Sequence, residues 1–456
     1  MRTLAENAVL VQSGQASPQE LLEESLEAIS RVQPTLNPFT CVMDEQARER
    51  AARRPPGPLS GVPVAVKDLF DIRGLPTTGC CAAYQGRVGA ADSAVVERLT
   101  EAGAVVVAKT NQHELAVGGT NSASSFGPAW NPWAPGRSPG GSSGGSAAAV
   151  SSGAVPVAIG SDTLGSIRIP ASFCGLTGLK PTHGAVSMRG AMPYAPPLDT
   201  AGPLARTAED CLTVHRILAG FDPDDLWSRQ DPSLPPEPQP MMGTKVGILT
   251  GYLSPAHPDT RSAVEAAARA MEDMGARVDE MDGPDPDEAR EAVAAIAAAH
   301  LAHHHGHLSE SADVGSDVSR VLEIGQGVSG RDYAGHVQTR RRVARAFEWL
   351  LTLCDVLISP ATPMPAVPMD PLDRDVERGA VNEVGAGIAR CTMPVNLVGL
   401  PAVAFPVGFT AGGLPVGAQL IGREWSEEVL LSVVSQYQQA TDWHLREPPD
   451  AHGQAR

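Results

Sequence analysis

Two short apolar runs, Val62–Val66 and Ala104–Ala108, each end on a lysine, Lys67 and Lys109, and flank a segment of helical length, 92–102. Five apolar residues between polar ones have the length of a buried strand, and strands alternating with helices build a layered α/β protein. The alternation recurs downstream. Ala147–Val155 reads as a helix, Val157–Ile159 and Lys245–Leu249 as strands, 261–275 as a helix and Val356–Ser359 as a strand. Ala402–Val407 and Pro415–Ile421, joined around Thr410–Gly413, read as paired strands, and 427–441 as a closing helix. Near the start, Ser17, Pro18 and Glu20 form a capping box that opens a helix over 16–32. An Ala-, His- and Arg-rich region reads as helical up to about residue 353, and the tract 221–243, rich in Pro and Asp, reads as a surface excursion between two halves.

Composition narrows the function classes. With 42% hydrophobic and 19% charged residues, the 456-residue chain can bury a large core. Its 35 basic and 52 acidic residues leave a net charge of −17, which argues against nucleic acid or an anionic membrane as the main ligand. The densest basic patch, Arg340–Arg342 with Arg345, has helical spacing and reads as a solvated face. No apolar run has the length of a membrane span, and Met1–Glu6 turns acidic too early for a signal peptide. The seven cysteines are odd in number and lack CxxC spacing, as expected of reduced thiols in a cytoplasmic protein; the adjacent Cys80 and Cys81 are assigned no role.

The chemistry concentrates in Gly/Ser turns. Ser138–Ser146 contains four glycines. A phosphate-binding P-loop would close on Gly-Lys-Ser/Thr, whereas Ser146 is followed by Ala147. Gly140–Gly144 fits the G-x-S-x-G nucleophile elbow, but that motif needs a strand before it, and Pro132, Pro135 and Pro139 forbid one. Twenty-four residues beyond Ser142 lies Ser166, in a turn that follows the strand Val157–Ile159. Such a turn aims several backbone N–H groups one way, as an oxyanion requires. A serine there is a nucleophile if a base takes its proton, and a lysine can be that base once burial disfavours its charge. Lys67, at the end of an apolar run, is the candidate.

Together these residues resemble the amidase signature hydrolases. The match is carried by Gly61–Asp68, Gly140–Ser146, Gly160–Arg168 and Cys174–Thr182, with weaker echoes in Asp199–Thr207, Pro394–Pro401 and Leu414–Gly422, in order along nearly the whole chain. The resemblance implies one large α/β/α layered domain over 1–456, with a central mixed sheet surrounded by helices. Its core spans 59–220, and 244–456 completes the sheet and the substrate pocket. It implies a triad of Ser166 as nucleophile, Ser142 as bridging serine after a cis Gly141–Ser142 peptide, and Lys67 as base. It places the oxyanion against the backbone N–H groups of Thr163, Leu164, Gly165 and Ser166, with Ser143, Asp162 and Arg168 in support. No cofactor or metal is implied.

Two positions depart from the family. Leu164-Gly165 stands where Gly-Gly is usual, which narrows the backbone freedom of the turn. The tRNA-dependent glutamine amidotransferase branch commonly carries an Asp three residues before the Thr of its Thr-x-Pro-x-Asn stretch, to bind the glutamine amino group. Here Ala389 precedes Thr392 at that offset. The expected activity is therefore hydrolysis of a small carboxamide or urea-like amide to an acid and ammonia, through a serine acyl-enzyme. The alternative is the glutamine-hydrolysing A subunit of such an amidotransferase, and a catalytically silent scaffold is disfavoured by the intact triad. The expected partner is a small-molecule amide substrate, with no direct nucleic-acid contact, no membrane and a possible homodimer. His300, His303, His304 and His307 would share one face of a helix, with His305 beside them. Lacking an H-E-x-x-H pattern, they read as an exposed or pocket-lining cluster rather than a metal site.

Overall fold

The computed structural model describes residues 1–230, 240–369 and 387–449. Among these, eleven strands form one mixed sheet: β1 (Phe39–Val42), β2 (Pro63–Lys67), β3 (Val105–Thr110), β4 (Val157–Ser161), β5 (Thr177–Lys180), β6 (Ala201–Ala205), β7 (Lys245–Leu249), β8 (Arg277–Met281), β9 (Val356–Pro360), β10 (Ala402–Phe409) and β11 (Pro415–Ile421). Their order is β1-β3-β2-β4-β6-β5-β10-β11-β9-β7-β8. β2 pairs in parallel with both β3 and β4, and β7 with both β8 and β9. The two parallel groups are joined through antiparallel neighbours, with β10 closing onto β5. This is the α/β fold with a central mixed sheet that the sequence implied.

All five residues of β2, β4 and β9 are buried, as strands covered on both faces require. β2 and β4 run parallel with Val66 beside Ile159, so Lys67 and Ser161 emerge at the same sheet edge. Every residue is buried in two short helices, Gly144–Ser151, made mostly of small residues, and Arg168–Cys174. The first begins three residues before the expected Ala147 and stops short of Val155. Asn121 Oδ1 accepts the Gly144 N–H at 3.1 Å, and Gly153 turns the chain away at φ 76°. That cap comes from a distant loop, so local pattern could not reveal it.

The capping box at Ser17 and Glu20 opens the helix Pro18–Leu36. The helical region before residue 353 resolves into Pro286–His305, Ser316–Gly327 and Gly330–Leu353. Arg341, Arg342 and Arg345 are exposed on the last of these. Positions 231–239 of the expected excursion lie outside the described residues, as do 370–386. No helix among the described residues is long and apolar enough to cross a membrane.

Candidate active site

Lys67 closes β2 with no solvent exposure, and its Nζ donates to Ser142 Oγ at 2.6 Å and to Ser161 Oγ at 2.9 Å. Burial pulls its pKa down to about 7, against the opposing pull of Asp162, Cys80 and Asp199. The Gly141–Ser142 peptide is cis. Ser143 ties this loop to its surroundings: its N–H reaches Ser166 O at 3.2 Å, and its hydroxyl donates to Ser161 O at 3.1 Å. Ser161 is a partner of Lys67 to which the sequence pattern gave no role. The parallel β2/β4 register brings it there.

The turn carrying Ser166 is built around Asp162. Its carboxylate accepts the N–H groups of Gly165 (2.8 Å) and Ile167 (3.1 Å), Arg168 Nε (3.0 Å) and Asn396 Nδ2 (2.7 Å). Burial alone would raise its pKa, but Arg168, Lys180 and Asn396 hold it at about 2. Arg168 is itself fully buried and also donates to Gln419 Oε1 at 2.8 Å and to Thr392 O at 3.2 Å. Asp162 and Arg168 thus form a buried ion pair, locked by side chains of the second half. The Gly165 N–H corrects one expectation: it points to Asp162, which leaves Thr163, Leu164 and Ser166 as the candidate donors of this turn. Gly165 has φ 121°, and a Cβ there would lie 2.1 Å from Thr392 Oγ1.

Sequence reasoning gave Asp199 no role. This buried carboxylate accepts the Thr163 hydroxyl at 2.6 Å and the N–H groups of Tyr194 (3.0 Å) and Ala195 (2.9 Å). It joins the Ser166 turn to a wall of the cavity in front of it.

That cavity, about 460 Å³, has Ser166 on its wall beside Leu164, Tyr194, Ala389 and Met393. Ala116–Gly119, Arg320, Val321 and Ile324 also line it, together with Arg290, Glu291 and His336. The contribution of 116–119 was not anticipated from the sequence. The histidine cluster does not line the cavity. The helix ends at His305, so His307 leaves the expected face; Tyr84 Oη bridges His305 Nδ1 and His307 Nε2, and His300 pairs with Tyr333. Among the described residues no group of His, Cys, Asp and Glu is arranged to hold a metal ion. All seven cysteines are free.

A family model described as Amidase matches residues 20–431. The chain belongs to the amidase family. Within it, the A subunit of glutamyl-tRNA(Gln) amidotransferase from Chromohalobacter salexigens is 37% identical over 484 aligned positions, covering 98% of each chain. The structure of the corresponding A subunit from Thermotoga maritima is 30% identical with a TM-score of 0.81, covering 96% of this chain and 94% of that one. A structure described as an unexpected vestigial protein complex that reveals the evolutionary origins of an s-triazine catabolic enzyme is 34% identical with a TM-score of 0.87, covering 96% and 98%. As a member of this amidase family, the protein is an enzyme of amide C–N bonds. The relatives overturn the expectation of a small-molecule amide as partner with no direct nucleic-acid contact and a possible homodimer. Full-length relatives are named as one subunit of an enzyme that is itself named for a charged tRNA.

Proposed function

We propose that the chain is the amide-hydrolysing subunit of a multi-subunit amidotransferase, releasing ammonia from glutamine. The observation that carries this reading is full-length similarity to proteins named as amidotransferase A subunits. The cavity supports it. Arg290 and Arg320 offer positive charge to a carboxylate, and Glu291 offers negative charge to an ammonium, around a wall that holds Ser166.

The triad implied by the family resemblance supplies a mechanism, and the Lys67–Ser142 contact supports its first step. Lys67, neutral in part near pH 7, takes a proton from Ser142, which takes one from Ser166. Ser166 Oγ forms a bond to the amide carbon, and the oxygen gains its negative charge against the N–H groups of Thr163, Leu164 and Ser166. The C–N bond breaks as Ser142 returns the proton to the nitrogen, and ammonia leaves. Water then attacks the acyl-enzyme by the same proton route, giving glutamate and free Ser166.

A second reading, hydrolysis of a small uncharged carboxamide or urea-like amide, is favoured by Ala389 on the cavity wall. Ammonia release from glutamine and from a panel of uncharged amides separates the two, with the chain measured alone and with the other subunits of its assembly. Glutamine turnover that Ser166→Ala abolishes supports the first reading. Turnover of uncharged amides only, in both conditions, overturns it.

A further inference from the structure

The cavity lining includes the loop after β3, Ala116–Gly119, and the helix Ser316–Gly327 through Arg320, Val321 and Ile324. These segments lie about two hundred positions apart in the chain, yet two side-chain contacts, one buried and one partly buried, join them. His113 Nε2 meets Asp317 Oδ2 at 3.2 Å in the first turn of that helix. Its other ring nitrogen, Nδ1, accepts the Asn121 N–H at 3.2 Å. Nδ1 therefore holds no proton, and Nε2–H is the donor to Asp317. One residue on, Glu114 Oε2 accepts the N–H of Gly315, the residue that caps the same helix, at 2.9 Å.

The fit is close at both ends. A Cβ on Gly315 would lie 2.4 Å from Glu114 Oε2, and one on the cavity-lining Gly118 would lie 2.3 Å from His113 Cε1. The backbone N–H of His113 also reaches Ser142 O at 3.1 Å. The loop that holds the helix is thus fixed to the bridging serine.

We propose that His113 and Glu114 are positioning residues that shape the substrate cavity by tethering the start of the Ser316–Gly327 helix to the loop that carries Ala116–Gly119. Neither side chain needs to touch substrate. Their effect falls on how well Arg320, Val321 and Ile324 are placed to receive it, and so on binding more than on the chemical step. The proposal rests on the cavity being the substrate site and not on which amide fills it.

Paired substitutions at the two contacts test it. Asp317→Asn keeps an oxygen to accept from Nε2–H, and Glu114→Gln keeps one for the Gly315 N–H, whereas Asp317→Ala and Glu114→Ala keep neither. Each variant is measured by amide hydrogen exchange over 316–327 and by KM and kcat for whichever amide the wild type hydrolyses. Both alanine variants should exchange at least about tenfold faster over 316–327. They should raise KM about tenfold with kcat within about threefold. Asp317→Asn and Glu114→Gln should keep both quantities near wild type, and that rescue is what a merely structural loss would not give. The Glu114 pair decides the question if Asp317→Ala does not fold. Unchanged exchange, failure of the amide variants to rescue, or a fall in kcat at constant KM overturns the proposal. The exchange measurement needs no substrate, so it stays readable even if glutamine proves not to be hydrolysed.

Discussion

As the proposed base, Lys67 needs two properties that water would keep apart: basicity enough to take a serine proton, and a neutral form populated at ordinary pH. Burial supplies the second by disfavouring the ammonium, and the contact with Ser142 directs the first. The neutral amine grows with pH through about 7, so kcat/KM should rise along an acid limb near that value and level off above it. Asp162, held at about 2, stays ionised throughout and adds no limb. A profile flat down to about pH 5 would remove Lys67 from the base role. Replacing Ser166 or Lys67 by Ala should lower turnover by ~10³-fold or more, and Ser142→Ala should leave a reduced but measurable rate. Ala389 allows a test of substrate charge: Ala389→Asp adds a carboxylate to the cavity wall and should lower KM for glutamine by about tenfold. An unchanged KM would show that the ammonium lies elsewhere.

The elements around the site show how much of it was legible. The strands carrying Lys67 and Lys109, the Gly/Ser turn at Ser142 and the turn at Ser166 were readable because strand length, proline placement and glycine are local signals. The hub around Asp162 was not, since Asn396, Thr392 and Gln419 reach it from more than two hundred residues away. Nor was the short helix Arg168–Cys174, whose buried faces all round leave no amphipathic pattern to read. Gly165 shows the consequence of such distant packing. With φ 121° and Thr392 directly against it, Gly165→Ala should displace the turn and lower kcat/KM by at least ~10²-fold. Crystallography of the variant would show the shift. On β5, Lys180 is fully buried, its Nζ bonded to Pro181 O, and burial lowers its pKa to about 7. Below that value both folded and unfolded states hold the proton, and the full cost of burying it is present. Between about 7 and the unfolded value near 10.4 only the unfolded state holds it, so stability rises with pH. Lys180→Met should therefore stabilise the fold more at about pH 7 than above it, and the gain should shrink by about 2 kcal/mol in urea titrations near pH 9. A gain that grows with pH would reverse the sign assigned to Lys180.

At the scale of the whole molecule, the sheet order decides how the chain divides. The segments 59–220 and 244–456 follow one another along the chain, but β10 pairs directly with β5 and continues the same sheet. Arg168 in the first half donates to Gln419 and Thr392 in the second, and Thr392 Oγ1 donates to Leu164 O at 2.8 Å in the Ser166 turn. The two ends of the described chain are tied as well: Arg206 binds Met1 O at 2.6 Å and Leu445 O at 3.1 Å, and the Met1 amine pairs with Glu447. Each half therefore lacks strand partners and buried hydrogen bonds that only the other supplies, and unpaired buried groups of that kind are costly. We expect the chain to behave as one cooperative unit even when cut. A protease site placed within 231–239 and cleaved after folding should leave two fragments that co-elute as one particle and keep activity within about threefold of the intact chain. Expressed separately, neither fragment should hydrolyse amides, and mixing them with co-refolding should restore turnover. Activity in the 1–230 fragment alone would show that the second half is dispensable to the Ser166 turn and would overturn this account of how the site is held.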